Sequence, residues 1–263
     1  MHNFRVFLFK ELMENLLTKK VFVLACVFLF FAMTAPLLTR FMGEFLAFVI
    51  PGDDTAGQAM AAMMGEMGWQ DSYAQFYGNI GQIGVFTILL LFMGIILREK
   101  QTGSIDLVFT KGLSPAAFVL SKFTVASILT VIMAVVAVVI CFAYTLVLFD
   151  EGGQLEFVLL GALVFGVFAC MIVAITIFCS AFAKSTATSA VMGMFIYLSI
   201  IVIGSIPHIG RFSPSGLAVA MPTQITMGIM PDDLILGVVM AVVISALALW
   251  AATYLTATKQ YSN

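Results

Sequence analysis

Residues 123–149 read FTVASILTVIMAVVAVVICFAYTLVLF and contain no Asp, Glu, Lys or Arg. A helix rises about 1.5 Å per residue and the hydrocarbon core of a bilayer is about 30 Å thick, so this stretch is long enough to cross it. Five further uncharged apolar stretches lie at 21–38, 80–97, 157–182, 190–206 and 234–255. The sequence therefore predicts an all-α integral membrane protein with six transmembrane helices in a single transmembrane domain, residues 1–263.

Charged residues are confined to the connections and are sorted between them by sign. Of the 12 basic residues, ten lie in the amino-terminal segment, the second and fourth loops and the carboxyl terminus: Arg5, Lys10, Lys19, Lys20, Arg98, Lys100, Lys111, Lys122, Lys184 and Lys259. Of the 14 acidic residues, ten lie in the first, third and fifth loops: Glu44, Asp53, Asp54, Glu66, Asp71, Asp150, Glu151, Glu156, Asp232 and Asp233. Since cytoplasmic loops are rich in Lys and Arg, both termini are predicted to be cytoplasmic.

This asymmetry indicates the surroundings of the chain. A basic cytoplasmic face suits anionic membrane lipid and an acidic protein partner, and we expect no nucleic acid partner. We expect a multi-pass protein of the bacterial inner (plasma) membrane. The four cysteines all fall inside predicted spans, where they serve best as small apolar packing residues.

The segment before the first span, residues 3–18, has a helical pattern of its own. Apolar residues recur on one face, and charged or amide side chains occupy the remainder: Phe4, Phe7, Leu8, Leu12 and Leu16 against Arg5, Lys10, Glu11, Glu14 and Asn15. The pattern predicts an amphipathic helix in the cytoplasmic membrane interface, with a plain extension of the first span as the alternative. Such a patterned start also disfavours a cleaved signal peptide.

The predicted outer loops, 39–79 and 207–233, differ in character. In the first, a methionine stripe at helical spacing precedes a group of aromatic residues: Met60, Met63, Met64 and Met67, then Trp69, Tyr73, Phe76 and Tyr77. We interpret the stripe as deformable packing, with Cu(I) binding as the alternative, and the aromatic residues as an interfacial belt. The second loop contains Pro207, Pro214, Pro222 and Pro231, which predict short broken helices dipping into the outer leaflet.

The cytoplasmic segment 98–122 contains the most specific local pattern. It begins with Arg98-Glu99-Lys100, and the apolar residues Ile105, Leu107, Val108 and Phe109 follow between Gly103 and Gly112. This pattern predicts a short amphipathic helix over Ile105–Lys111 that presents one face to another protein. An ordinary solvated loop whose basic residues only fix the topology is the alternative.

Several classes of function are disfavoured. The only histidines are His2 and His208, so we expect neither an embedded enzyme nor a metal site. No G-x-x-x-x-G-K-[ST] phosphate loop is present, so ATP hydrolysis would occur on a separate polypeptide, and no cofactor is expected on this chain. Ion-coupled transport is disfavoured because the apolar stretches contain no ionisable carboxylate or amine. A channel-like or accessory membrane subunit without active transport remains open as an alternative.

The order of these elements resembles the permeases of ABC-2 type exporters. Three short matches carry the resemblance: Lys10-Glu11-Leu12 in the amino-terminal helix, Glu99 and Gly103 after the second span, and Ser121-Lys122 before the third. The small-residue connection Ser180 to Ala187 before the fifth span is also similar. One departure is that family members often place Pro within the coupling segment, where this chain has Gly112 and a Pro only at 115.

The resemblance implies a permease subunit that pairs with a second permease, as a homodimer or heterodimer, and with two ABC ATPase subunits at the cytoplasmic face. It also implies that 98–122 is the coupling segment, for which we name Glu99, Gly103, Ile105, Asp106, Val108, Phe109 and Lys111. We expect Ile105, Val108 and Phe109 to insert into a groove on the ATPase. The uncharged spans favour amphipathic or lipid-like cargo, with Phe86, Thr87, Tyr197 and Ser199 along a possible substrate path.

Overall fold

The computed structural model describes residues 2–49, 67–110, 112–206, 208 and 210–258, and this part of the chain is helical, without strands. Within it, six helices are long and apolar enough to cross a membrane: Lys20–Met42, Trp69–Gln101, Pro115–Phe149, Leu155–Phe182, Thr186–Gly204 and Leu234–Thr258. The prediction of six such helices is confirmed. We refer to them as the first to sixth spans.

In chain order the helices are α1 (His2–Leu17), α2 (Lys20–Val49), α3 (Trp69–Asn79), α4 (Val85–Phe92), α5 (Leu97–Gln101), α6 (Ser104–Thr110), α7 (Pro115–Phe149), α8 (Leu155–Phe182), α9 (Thr186–Gly204), α10 (Ala220–Thr226) and α11 (Leu234–Thr258). A π-helix, Ile80–Gly84, joins α3 to α4, so α3, α4 and α5 together form the second span. Two short 3-10 helices, Gly210–Phe212 and Pro214–Leu217, precede α10.

The fourth span, α8, lies at the centre of the bundle. It contacts the second, third, fifth and sixth spans and also α10. Small residues let its neighbours approach closely. A Cβ at Gly161 would lie 2.7 Å from Thr226 Oγ1, 2.9 Å from the Pro222 carbonyl oxygen and 2.9 Å from the Tyr77 hydroxyl. Only glycine therefore allows α10 and α3 to meet the fourth span at this level.

Helix ends follow local capping rules. The Ser114 hydroxyl accepts a hydrogen bond from the backbone N–H of Ala117, and Pro115 occupies the first helical position of the third span. The Ser185 hydroxyl caps the fifth span in the same way, accepting from the N–H of Thr188. The third span therefore starts at Pro115, eight residues before the predicted 123, and Ser121 and Lys122 lie inside it.

Hydrogen bonds assign the connections to two ends of the bundle. At one, which we call the basic end, the Lys100 ammonium donates to the Ala181 carbonyl oxygen at 2.7 Å, joining the second span to the end of the fourth. At the other, the acidic end, the Tyr73 hydroxyl donates to the Gly152 carbonyl oxygen at 2.9 Å. The connections alternate between these ends along the chain, as the six-span arrangement requires.

The predicted aromatic belt is wrong. The second span begins at Trp69 rather than at residue 80, and Tyr73, Phe76 and Tyr77 are fully buried in the protein core. Aromatic residues at the end of a span suit both an interface and a core, and here the first span, the third span and α10 pack on the helix that carries them. Met60, Met63 and Met64 lie outside the described residues. The short broken helices expected within 207–233 are present, and their depth in the bilayer stays a prediction.

The amino-terminal helix extends over His2–Leu17, close to the predicted 3–18, and packs on the third span. Its packed face differs from the expected one. Phe7, Glu11 and Asn15, spaced four residues apart, are buried, whereas Phe9 and Leu16 are exposed. The face that meets the protein therefore includes a carboxylate and an amide. Its position in a membrane interface stays a prediction.

Candidate functional site at the basic end

The short helix α6 extends over Ser104–Thr110, one residue earlier than the predicted Ile105–Lys111. Gly103 precedes it with φ +68°, and Gly112 follows it with φ +82°. Both values lie in the left-handed region that residues with a Cβ rarely adopt, so the two glycines allow the sharp turns at either end of the helix. Lys111 lies outside the described residues, as does the side chain of Asp106.

The apolar face of α6 packs on its own chain. Ile105 is 7% exposed, and the Phe109 ring lies edge-on to the Phe118 ring of the third span at 5.7 Å between centroids. Val108 is partly buried against the same core. The chain itself thus buries Ile105, and insertion of this residue into a partner stays a prediction. The amphipathic pattern predicts a buried face without specifying what buries it.

Just before α6 the second span is interrupted at 93–96. The Ser180 hydroxyl of the fourth span accepts hydrogen bonds from the backbone N–H groups of Ile96 and Leu97, at 3.0 and 3.1 Å. These two N–H groups lie at the start of α5, and because the helix is interrupted they have no acceptor in the preceding helical turn. The fourth span thus fixes the position of α5, which carries Glu99.

A buried ion cluster joins three segments at this end. The Lys122 ammonium, on a side chain that is 2% exposed, lies 2.9 Å from Glu11 Oε1 of α1 and 2.8 Å from Glu99 Oε1 of α5. Glu11 is equally buried, and Glu99 is 12% exposed. Removing one partner of a buried ion pair typically costs about 3–5 kcal/mol, because the other charge stays buried without compensation. We call Lys10, Glu11, Glu14, Glu99 and Lys122 the ion cluster.

At the rim of the ion cluster, Lys10 bridges the acidic residues to the surface. Its ammonium lies 3.3 Å from Glu11, 3.2 Å from Glu14 and 3.3 Å from Glu99. Burial lowers the pKa of Lys10, but the carboxylates of Glu11, Glu99 and Glu14 outweigh it and raise that pKa well above its usual range. Burial likewise raises the pKa of Glu14, but the ammonium groups of Lys10, Lys122 and Lys20 together outweigh it, and the net shift is downward.

Carboxylate oxygens of Glu11, Glu14 and Glu99 lie within 4.8 Å of one another, close enough to share one cation. The Lys122 ammonium already bonds two of them and the Lys10 ammonium contacts all three. The Lys122 ammonium also lies 5.0 Å from the Phe118 ring centroid, which favours a positive charge at this point. The cluster is therefore built around lysine.

The structure brings together two of the four residues assigned to a substrate path. Phe86 and Tyr197 pack edge-to-face at 5.6 Å, and the Tyr197 hydroxyl donates to the Gly81 carbonyl oxygen of the π-helix at 2.6 Å. Thr87 and Ser199 each donate instead to their own helix backbone, at Ile83 and Phe195. The second and fifth spans are thus joined through Tyr197.

Sequence reasoning missed the pairing of Glu11 with Lys122. The resemblance includes both residues, in Lys10-Glu11-Leu12 and Ser121-Lys122, but nothing in either motif indicates that they meet. A possible signal is that Glu11 shares a helix face with Phe7 and Asn15, at i−4 and i+4. A carboxylate on a helix face that also carries an apolar residue does not by itself identify the cation that pairs with it.

A comparison with protein families adds to this geometry. A family model described as ABC-2 family transporter protein matches residues 58–255. The match contains the second to fifth spans, most of the sixth, α6, Glu99 and Lys122, whereas α1 and the first span precede it. No curated protein matches the chain.

Proposed function

This chain belongs to the ABC-2 transporter family, and from that premise we propose that it is the permease subunit of an ATP-driven exporter. The permease pairs with a second permease, a copy of itself or a related chain, and the two form the translocation path. Separate ATPase subunits supply the hydrolysis of ATP. The basic end faces the cytoplasm, as its excess of Lys and Arg favours.

The observation that carries this proposal is the connection between α6 and the spans. Within a few residues of α6, Glu99 bonds Lys122 of the third span, and the third span in turn bonds Glu11 of α1. Phe109 adds a direct contact between α6 and the third span. A displacement of α6 by a bound ATPase therefore moves three segments together, which a loop serving only as a topological tether would not do.

The surface offered to the ATPase follows from what the fold leaves uncovered. Ile105 is used internally, whereas Gln101, Thr102 and Thr110 are exposed on the same stretch. We assign the ATPase contact to this exposed side of α5 and α6, with Glu99, Gly103 and Ile105 keeping the helix in place from within. Lys111 and Asp106 retain their proposed roles at its polar edge.

The second and fifth spans supply the proposed path. Phe86 and Tyr197 tie the two helices together, and Thr87 and Ser199 lie beside this contact with hydroxyls already bonded to backbone. Large apolar side chains remain exposed on both helices, among them Ile83, Leu90, Phe195 and Leu198. A path formed with a second permease along these faces suits amphipathic or lipid-like cargo.

Site-directed cross-linking tests the ATPase contact. In a variant without Cys26, Cys141, Cys170 and Cys179, a single cysteine at Thr110 is coupled to a short thiol-to-amine cross-linker in membranes that contain the ATPase. We expect a cross-linked adduct with the ATPase that forms only when residue 110 is a cysteine. A cysteine at Gln154, exposed at the acidic end, is the matched control and should give none.

A transport assay on the reconstituted complex tests the proposed ATP-driven export. Proteoliposomes containing both subunits should move a fluorescent amphipathic probe in one direction when ATP is present on the basic side, and should stop when ATP is withheld. Equal movement without ATP would favour a channel. Absence of an adduct at residue 110 would contradict the assignment of the ATPase contact to this surface.

A further inference from the structure

The basic residues at the basic end divide into two groups. Lys10 and Lys122 have carboxylate partners within the ion cluster. Lys20, at the start of the first span, and Arg98, on α5, have no carboxylate within ion-pair distance in the part of the chain that the structure describes, and the same holds for the exposed Lys19 and Lys184. The second group therefore has charge available for another ligand.

The side chains of Lys20 and Arg98 lie alongside the apolar part of the second span. The Lys20 ammonium is 5.9 Å from the ring centroid of Phe92, which ends α4. Arg98 folds back toward Gly94, one helical turn earlier, where a Cβ would lie only 2.9 Å from Arg98 Nε. The absence of a side chain at Gly94 thus leaves room for the guanidinium stem beside the span rather than beyond its end.

Both positive charges act on the same region. The carboxylates of Glu14 and Glu11 attract the Lys20 ammonium, whereas Lys122 and Arg98 repel it. Both carboxylates are already bonded within the ion cluster, Glu14 to Lys10 and Glu11 to Lys10 and Lys122, so they do not neutralise Lys20 and Arg98. An anion between Lys20 and Arg98 would relieve this repulsion. At the level of a span end, the anions of a membrane are the phosphate groups of its lipids.

We propose that Lys20 and Arg98 bind the phosphate of an anionic phospholipid in the leaflet at the basic end. The exposed Arg98 guanidinium supplies paired donors to phosphate oxygens, and the Lys20 ammonium supplies a second charge from the first span. A bound lipid of this kind bridges the first and second spans next to the ion cluster. It is a bound ligand of the permease and not its cargo, so the inference stands or falls separately from the transport activity.

A protein partner is the competing ligand, and the direction of Arg98 disfavours it. An ATPase that meets Thr102 and Thr110 approaches the chain beyond α5, whereas Arg98 folds the opposite way, back along the second span. Because the ends of spans lie near the lipid headgroups, we place Arg98 and Lys20 at that level, whereas α6 follows the end of the second span at Gln101. The geometry therefore assigns the pair to lipid.

Lipid binding to the purified full-length protein tests the proposal. Delipidated protein in detergent is titrated with phosphatidylglycerol or with phosphatidylcholine, and the lipid-bound species are counted by native mass spectrometry. The wild type should prefer phosphatidylglycerol. In Lys20→Gln with Arg98→Gln the affinity for phosphatidylglycerol should fall about 25-fold, since each cation near an anionic surface contributes about fivefold. The affinity for phosphatidylcholine should not change.

Three controls separate this site from general charge. Arg40→Gln with Arg211→Gln also removes two positive charges, but at the acidic end, and should leave the affinity unchanged. Lys20→Arg with Arg98→Lys keeps both charges and should retain most of the affinity. If the glutamine pair does not fold, Arg98→Gln alone, at an exposed side chain, should lose about fivefold.

Four outcomes would overturn the proposal. One is a wild type that binds the two lipids equally, and another is a glutamine pair that keeps its preference. A third is displacement of phosphatidylglycerol by inorganic phosphate at matched concentration, which would indicate a free-anion site. The fourth is a glutamine pair that keeps its lipid affinity but loses the ATPase during purification, which would assign these cations to the protein partner.

Discussion

At the basic end of the second span, Glu99 is bonded to a buried lysine, whereas at the acidic end Tyr73 and Gln75 make only neutral hydrogen bonds. The Lys122 ammonium lies 2.8 Å from Glu99. The Tyr73 hydroxyl donates to the Gly152 carbonyl oxygen, and the Thr39 hydroxyl lies 2.8 Å from Gln75 Oε1. The second span is thus attached to its neighbours by an ion pair at the basic end and by neutral hydrogen bonds at the acidic end.

The difference indicates at which end the stability depends on charge and at which end it depends on side-chain volume. A buried ion pair tolerates little change in either partner, because a charge left alone is costly. Neutral contacts at the acidic end depend on close approach, as at Gly161, where three atoms lie within 2.9 Å of a Cβ position. Charge substitutions should therefore be most damaging at one end, and added methyl groups at the other.

The largest effect is expected for Lys122→Met. The substitution keeps the volume but leaves Glu11 and Glu99 with only the half-exposed Lys10 as a shared cation, which should cost up to about 3–5 kcal/mol of stability. The measurement is the midpoint of thermal unfolding in detergent, together with the yield of monodisperse protein. Lys184→Met, at an exposed lysine of the same end, is the control and should behave as wild type.

Lys122→Met combined with Glu11→Gln and Glu99→Gln sharpens this result. Removing the isolated carboxylates should restore part of the lost stability, because the cost lies in uncompensated charge. If the triple variant is no more stable than Lys122→Met, the cluster stabilises the protein through packing and the contrast between the two ends fails.

Next in size is Gly161→Ala. Its new methyl group would meet Thr226 and Pro222 of α10 and the Tyr77 hydroxyl, and overpacking of this kind costs about 1–3 kcal/mol. Gly78→Ala is the matched control, since a Cβ there meets nothing within 4 Å and alanine favours the helix. Thermal unfolding of both variants checks the prediction, and equal stability of the two would contradict tight packing at Gly161.

A smaller loss is expected for Tyr197→Phe. The variant removes the buried hydrogen bond to the Gly81 carbonyl oxygen, at a cost of about 1 kcal/mol. Tyr254→Phe, at a tyrosine that is 60% exposed, should change nothing. Transport assays on the same variants show whether the contact between the second and fifth spans also affects the rate. A Tyr197→Phe protein as stable as wild type would contradict the contribution of this hydrogen bond.

The smallest effect concerns the rim of the ion cluster. Because the pKa of Glu14 is lowered, its contribution is present above the ordinary glutamate pKa and is lost as the pH falls through the lowered value. Because the pKa of Lys10 is raised, its contribution is present below the ordinary lysine pKa and is lost as the pH rises through the raised value. Stability should therefore be flat near neutral pH and decline toward both extremes.

Lys10→Gln checks this pH dependence. Its side chain is 49% exposed, so solvent screening keeps the loss of stability well below that of Lys122→Met. The variant should show a weaker decline at high pH, and added salt should reduce its difference from wild type. A loss as large as that of Lys122→Met would mean that rim and buried charges are equivalent.

The sequence predicted the six spans well because length and hydropathy alone determine which segments suit a bilayer. It placed the start of the third span too late, because Lys122 was interpreted as part of a loop. Its two partners lie 23 and 111 residues away in the chain, and no local pattern indicates such distances. The helix after Gly103 was predictable from its glycines, but the burial of Ile105 in its own chain depends on Phe118 and the third span.

The sequence separation within the ion cluster has a consequence for how the protein is made. Glu11 leaves the ribosome 111 residues before Lys122, which at about 5–20 residues per second is a delay of roughly 5 to 20 seconds. During this interval Lys122 is not yet available to Glu11, so α1 stays undocked from the third span while the first two spans insert. Docking of α1 on the third span is therefore a late step in biogenesis, and a ribosome that stalls before Lys122 would display α1 undocked.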